Sequence, residues 1–230
     1  MIENLPRIVA LVPMRHESER VPGKNYRNFA DRPLYHHIVR SLLQSGCIAE
    51  VVIDTDSPFI MADARDHFPQ VRLIERPELL CGGKVSMNDI LAHDVELCDA
   101  DVFLQTHSTN PLLRPETIDR AIDTFLQAYP KRDSLFAVTR MQARLWDGED
   151  RPVNHDPSEL RRTQDLALLF EENSSLYIFT LESLRHRRNR IGERPLLFEI
   201  DREEAWDIDE EIDFQVAEFL FIRRKGGEFL

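Results

Sequence analysis

Cysteines and long apolar runs are scarce in this sequence, which argues against a disulfide-rich protein and against a membrane-spanning one. The 230 residues include three cysteines, Cys47, Cys81 and Cys98, and no CxxC pair, which argues against a disulfide framework and for reduced thiols. No apolar run approaches the roughly 20 residues that span a bilayer. The start, "MIENLPRIV", lacks a basic region followed by an apolar one, so no signal peptide is predicted. We therefore expect a soluble, cytoplasmic protein.

Glycine is scarce as well, and the chain carries a net negative charge. The chain has eight glycines, and it contains neither G-x-x-x-x-G-K-[ST] nor G-x-G-x-x-G, the glycine-rich patterns that bind phosphate through backbone amides. Any phosphate bound here would be held largely by side-chain charge. The formal net charge of −12 argues against nucleic acid or an anionic membrane surface as a partner.

Strand and helix patterns alternate along the first part of the chain. Apolar runs of strand length, such as "IVALVP" and "EVVIDTD", are each followed by a segment with helical spacing, such as "LYHHIVRSLLQSG". Four such units in succession predict an α/β fold, a mostly parallel twisted sheet with helices on both faces. The length fits a single domain, residues 1–230, with an insertion or subdomain expected at about 141–195, where the alternation breaks.

The loop after the first predicted strand, "MRHESERVPGKN", concentrates positive charge in an acidic chain. It carries Arg15, Arg20 and Lys24, and ligands of open α/β sheets bind beyond the carboxyl ends of the strands. Arginine binds phosphate through two parallel hydrogen bonds, and lysine binds it as a compact charge. The loop is either a phosphate site or a solvated basic surface, and charge alone does not choose between them.

A pair of carboxylates near the end of the chain suggests a metal site. In "WDIDEEIDF", alternation along an extended segment places Asp207 and Asp209 on one side, with Ile208 pointing the other way. Such a pair suits Mg²⁺, which completes its coordination with water and phosphate oxygens. The alternative is that Asp209 caps the last helix. Together with the basic loop, the pair predicts a nucleotide–metal site.

These stretches resemble the signatures of cytidylyltransferases that activate acidic sugars, the CMP-sialic acid synthetases and their relatives. The resemblance rests on "VPMRHESERVPGKN", followed in order by "RPELL", "SMND", "FLQTHSTNPLLRPETID", "RTQDL", "ENSSLYIF" and "WDIDEEIDFQVAEFL". It covers nearly the whole chain. It implies a nucleotide-diphospho-sugar transferase-like fold, a homodimer built through the insertion, and Mg²⁺-dependent transfer of CMP from CTP to an acidic sugar, an acylneuraminate or related 2-keto-3-deoxy acid, with release of pyrophosphate.

The resemblance also implies a role for each residue that matches a family motif. The expected nucleotide-binding residues are Arg15, Arg20, Lys24, Asn25, Arg76 and Ser86. The expected sugar-binding residues are Gln105, Arg162 and Gln164, and the expected metal ligands are Asp207 and Asp209. Arg15, Lys24 and Asp209 are the expected catalytic residues.

Departures from the family pattern leave the sugar open. "SERVPGK" also resembles the CMP-Kdo synthetases, although these usually have proline where this chain has Asn25. "QTHSTNPL" is two residues longer than the usual segment, so either Gln105 or the His107/Ser108 region faces the sugar. The run "RHRRNR" at 185–190 is interpreted as a solvated helix face. An alternative of another class is a non-catalytic nucleotide- or sugar-binding protein, which would not need the aspartate pair.

Overall fold

The computed structural model describes residues 6–227, which form nine strands and six α-helices. The strands are β1 (Ile8–Met14), β2 (Asn28–Phe29), β3 (Arg32–Pro33), β4 (Glu50–Thr55), β5 (Arg72–Glu75), β6 (Val102–Thr106), β7 (Ser134–Met141), β8 (Leu169–Thr180) and β9 (Pro195–Glu199). The helices are α1 (Leu34–Gln44), α2 (Pro58–His67), α3 (Met87–Glu96), α4 (Pro115–Ala128), α5 (Leu181–Arg187) and α6 (Glu211–Gly227).

Seven strands form one sheet in the order β5-β4-β1-β6-β8-β7-β9. All neighbouring pairs are parallel except those of β8, which runs antiparallel to both β6 and β7. The predicted mostly parallel sheet is therefore confirmed. The reversed strand is a feature that the alternating patterns of the first part of the chain do not contain.

The alternation of side chains along β1 shows how the sheet is covered on both faces. Ile8, Ala10 and Val12 belong to one buried cluster, which includes apolar residues of α1, α2 and α4. Val9 and Leu11 belong to a second cluster, which includes residues of α3 and α5. Because successive strand residues point to opposite faces, one apolar run serves two cores, and the predicted helices on both faces are confirmed.

A third buried cluster attaches the last helix to the loop that follows β1. Phe214 and Phe221 of α6 pack with Phe29 and with Val21 of that loop. Ile208 is fully buried in the same cluster. The burial of Ile208 directs its two neighbours, Asp207 and Asp209, toward the other side of the segment.

The segment 142–168 lies outside the main sheet. Its regular structure is limited to a 3-10 turn, Thr163–Asp165, and an isolated bridge between Trp146 and Pro152. The insertion expected at about 141–195 also includes β8, which lies between β6 and β7 in the sheet. Within residues 6–227, no helix is long and apolar enough to cross a membrane.

Candidate active site

A cavity of about 560 Å³ opens at the carboxyl ends of β1 and β6. This size is typical of sites for small ligands, and the position is the expected one for an open α/β sheet. Seven of the residues predicted from the sequence line it: Arg15, Arg20, Lys24, Asn25, Arg76, Asp207 and Asp209. The fold thus brings the basic loop and the aspartate pair, which lie near opposite ends of the chain, into one site.

The loop after β1 is held in place by its own backbone and by Asn25. Gly23 has a positive φ of 65°, and a Cβ there would lie 2.9 Å from the ring of Tyr26, so the turn requires glycine. The buried Asn25 donates its amide to the carbonyl of Arg15 (2.7 Å) and accepts a hydrogen bond from Ser108 (2.7 Å). Asn25 therefore orients the loop that carries the cations.

Lys24 connects the loop to the aspartate segment. Its Nζ donates to the backbone carbonyl of Ile208 at 2.5 Å. Burial lowers the pKa of Lys24, while the nearby charges of Asp207 and Asp209 act against this shift. The ammonium group is therefore held beside both carboxylates at the cavity.

The two aspartates of the pair differ in their contacts at the cavity. Within residues 6–227, Asp207 Oδ1 is buried without a hydrogen-bond partner, and burial, followed by the charge of Asp209, raises the pKa of Asp207. Asp209 forms an ion pair with Arg20 at 2.5 Å. At the start of α6, Asp213 accepts from the backbone amides of Asp209 (3.1 Å) and Glu210 (2.8 Å). The capping carboxylate at this end is thus that of Asp213.

Arg76 reaches the cavity from a buried ion pair. Its Nε donates to Asp54 Oδ2 at 2.9 Å, and both side chains are almost fully buried. Asp94 lies in the same buried cluster; burial raises its pKa to about 7, and the neighbouring charge of Asp54 adds to that shift. The guanidinium of Arg76 is therefore fixed at the end of β5 by groups beneath the cavity floor.

Two predicted residues lie just outside the lining. Ser86 is the N-cap of α3. Its Oγ accepts from the backbone amide of Asp89 at 3.2 Å and donates to the carboxylate of Asp89 at 2.7 Å. Gln105 is fully buried, and its amide donates to the carbonyl of Thr106 at 2.9 Å. Of the alternatives on this segment, His107 and Ser108 are the residues that line the cavity.

The remaining sugar-side predictions, Arg162 and Gln164, lie on the segment 142–168. Both are exposed, and neither lines the cavity. Arg162 is paired with Asp165, three residues away, at 2.8 Å. The backbone carbonyl of Gln164 accepts from Gln142 at 3.5 Å. In a single copy of the chain, these side chains are separate from the cavity.

Sequence reasoning missed Arg190, which lines the cavity. The helix α5 ends at Arg187, and Arg188 has a positive φ of 50° that turns the chain inward. Arg190 is half-buried, unlike the exposed arginines of α5. No local signal marks Arg190 in the sequence, because the close approach of Gly192 to the carboxylate of Asp133 is a property of the fold.

The chain is similar to proteins of known activity. A family model described as cytidylyltransferase matches residues 9–225. A CMP-N,N'-diacetyllegionaminic acid synthase of Legionella pneumophila is 28% identical over 226 residues, covering 93% of this chain and 96% of the relative. An N-acylneuraminate cytidylyltransferase of Escherichia coli is 25% identical over 217 residues, which cover 92% of this chain and 51% of that protein.

A solved structure shares the fold of this chain. A CMP:2-keto-3-deoxy-manno-octonic acid synthetase complexed with CTP superposes with a TM-score of 0.70, covering 95% of this chain and 99% of that one at 16% identity. The predicted resemblance and fold class are confirmed by these matches. With nearly its whole length matched, the chain belongs to the cytidylyltransferase family and is a nucleotidyltransferase.

Proposed function

We propose that this enzyme activates a sialic acid-like nonulosonic acid by transferring CMP to it from CTP. The C2 hydroxyl oxygen of the sugar acid bonds to the α-phosphorus, and the bond from that phosphorus to the oxygen bridging the β-phosphate breaks. Pyrophosphate leaves with the electron pair, and the hydroxyl proton passes to solvent. Such a transfer depends mainly on positioning the reactants and neutralising charge.

The observation that carries this proposal is the convergence of Arg15, Lys24 and the aspartate pair on one cavity. Lys24 and Arg15 neutralise the phosphates, and Arg20, now paired with Asp209, joins them when that pair opens. Relatives named for legionaminic and N-acylneuraminic acid support a nonulosonic acid as the acceptor. The aspartate pair disfavours a protein that only binds nucleotide or sugar, since binding alone does not need it.

The residues present fit a bound Mg²⁺. Asp207 offers a buried oxygen that has no hydrogen-bond partner in the part of the chain that the structure describes, and Asp209 lies on the same side of the segment at the cavity. Hard oxygen ligands of this kind, few in number, are what Mg²⁺ takes from proteins. When bound, Mg²⁺ would neutralise charge on the phosphate oxygens.

We further propose a homodimer that forms through the segment 142–168. This segment exposes large apolar side chains: Trp146 (54% exposed), Val153 (58%), Leu160 (94%) and Leu168 (48%). Exposed apolar side chains gathered on one segment favour its association with another protein surface. A CTP-using enzyme of this kind is expected to work in the cytoplasm.

The proposal is tested by measuring pyrophosphate release with CTP, Mg²⁺ and a panel of acceptors. The panel contains N-acetylneuraminic acid, a legionaminic acid, Kdo and a neutral hexose. We expect release with a nine-carbon acid and none with the hexose. Preference for Kdo would replace the sugar class with the Kdo alternative. Release from no acid, with CTP still bound, would favour the binding-protein alternative.

A further inference from the structure

Arg190 is a cation at the cavity without an anionic partner. Among residues 6–227 it forms no ion pair with a carboxylate, although Arg76 and Arg20, which line the same cavity, both do. Burial lowers its pKa, and the neighbouring Tyr177 and Glu172 act against that shift. The carboxylate of Glu172 is near Arg190 but forms no ion pair with it, so this half-buried guanidinium is only partly compensated and its site favours an incoming anion.

The guanidinium of Arg190 is held in one orientation by its neighbours. Its carbon lies 3.5 Å from the centre of the Tyr177 ring, and one nitrogen donates to Gln105 Oε1 at 2.5 Å. The Tyr177 hydroxyl in turn donates to Glu172. These contacts leave other guanidinium N–H groups available, because arginine has five donors.

The backbone around Arg190 is fixed by α3 and by residues at the start of β7. The amide of Arg190 donates to Asn88 of α3 at 3.0 Å, and the amide of Gly192 donates to Ser134 of β7 at 2.8 Å. Asp133 accepts from the amide of Arg194 at 2.9 Å. The loop therefore presents Arg190 on a rigid support, which is the arrangement that a specific binding group requires.

The chemistry of the acceptor places its carboxylate inside this cavity. The carboxylate carbon is bonded directly to the carbon that bears the attacking hydroxyl, so the acid lies within a few bonds of the reacting phosphorus. In the proposed function the phosphates are bound by Arg15 and Lys24, which line the cavity from the loop after β1. Arg162 does not line the cavity. The carboxylate consequently needs a donor from a different wall.

We propose that Arg190 binds the carboxylate of the sugar acid and that Gln105 positions its guanidinium for this contact. The inference rests on the proposed function and adds to it the residue by which this chain distinguishes an acid from a neutral sugar. Gln105 then acts on the sugar side through Arg190, although it lies behind the cavity wall. Arginine suits this role because its planar fork matches a carboxylate through two parallel hydrogen bonds.

The test compares Arg190→Gln and Arg190→Lys with Arg187→Gln, which removes one exposed charge from the end of α5. KM is measured separately for CTP and for the best sugar acid of the panel. We expect Arg190→Gln to raise KM for the acid about tenfold to a hundredfold and to leave KM for CTP nearly unchanged. Arg190→Lys should retain part of the affinity, and Arg187→Gln should behave as the parent enzyme.

A second measurement separates charge recognition from folding. The acid and its C1 carboxamide are titrated calorimetrically into enzyme that has been loaded with a non-hydrolysable CTP analogue. The parent should prefer the acid, and Arg190→Gln should lose that preference while its melting temperature stays close to the parent's. Equal losses for CTP and acid, or a preference lost in Arg162→Ala and kept in Arg190→Gln, would overturn the assignment. Parent enzyme without turnover of any acid would instead refute the proposed function itself.

Discussion

The cavity and the exposed segment 142–168 are both rich in charge, but they pair their charges in different ways. In the cavity, Arg20 meets Asp209, 189 residues away, and Arg76 is buried with Asp54. On the segment, Arg162 meets Asp165, three residues away, and the two side chains are 71% and 46% exposed. The ion pairs of the cavity join residues that only the fold brings together, whereas the ion pair of the segment joins residues that are close in the chain.

Exposed local ion pairs and buried ion pairs also differ in how much they contribute to stability. Exposed local ion pairs contribute about 0–1 kcal/mol, whereas breaking a buried pair by removing one partner costs about 3–5 kcal/mol. The cavity is assembled within one chain. The segment exposes large apolar side chains, Leu160 to 94%, and the proposed second copy would cover them.

The largest effect is expected at Asp209. Asp209→Asn preserves shape but removes a charge beside Asp207, and a lost metal contact worth several kcal/mol lowers turnover by about a thousandfold. Pyrophosphate release at increasing Mg²⁺ measures it. Asp165→Asn, the same change on the exposed segment, is the matched control and should retain turnover. Near-normal turnover of Asp209→Ala at modest Mg²⁺ would contradict the metal role.

The next effect is on stability, at the buried pair. Asp54→Ala leaves Arg76 buried without its partner, and we expect the free energy of unfolding to fall by about 3–5 kcal/mol. Urea unfolding followed by circular dichroism measures the loss. Asp165→Ala breaks the exposed pair and should change stability by less than about 1 kcal/mol. Similar losses in the two variants would remove the distinction between the regions.

A smaller effect is expected from Lys24, and it depends on the ligand. Lys24→Ala removes a charge-assisted contact to phosphate, worth about 1.5–3 kcal/mol, so CTP should bind about tenfold to a hundredfold more weakly. Cytidine has no phosphate, so its affinity should change little. Calorimetric titration of both ligands measures the difference. If cytidine and CTP weaken equally, Lys24 acts through the hydrogen bond to Ile208 and the shape of the loop.

The sequence predicts the part of the fold that local patterns encode. The apolar run of β1 and the helical spacing of α1 and α4 are properties of short segments, and these elements lie where they were expected. The place of β8 is different. Its apolar stretch indicates a strand, but its antiparallel pairing, with Gln105 opposite Tyr177, is decided by contacts between segments far apart in the chain, which no local pattern contains.

The same limit applies to the cavity. Arg15, Lys24 and the aspartate pair could be predicted because each lies in a distinctive motif at the end of an element. Arg190 could not, because "RHRRNR" contains four arginines with the same local chemistry. What distinguishes Arg190 is the end of α5 and the contact of its amide with Asn88, and both are tertiary properties.

The smallest change in the free energy of unfolding is expected for a substitution on the segment 142–168. The same substitution should have the largest effect on self-association. Leu160→Glu replaces a side chain that is 94% exposed, so the free energy of unfolding of the single chain should change by no more than about 0.5 kcal/mol. A charge placed in an apolar interface between two copies is left unpaired, so self-association should weaken. Sedimentation equilibrium of Leu160→Glu beside Glu159→Gln, a change at the adjacent exposed residue, measures this. A parent that sediments as a monomer would contradict the proposed dimer.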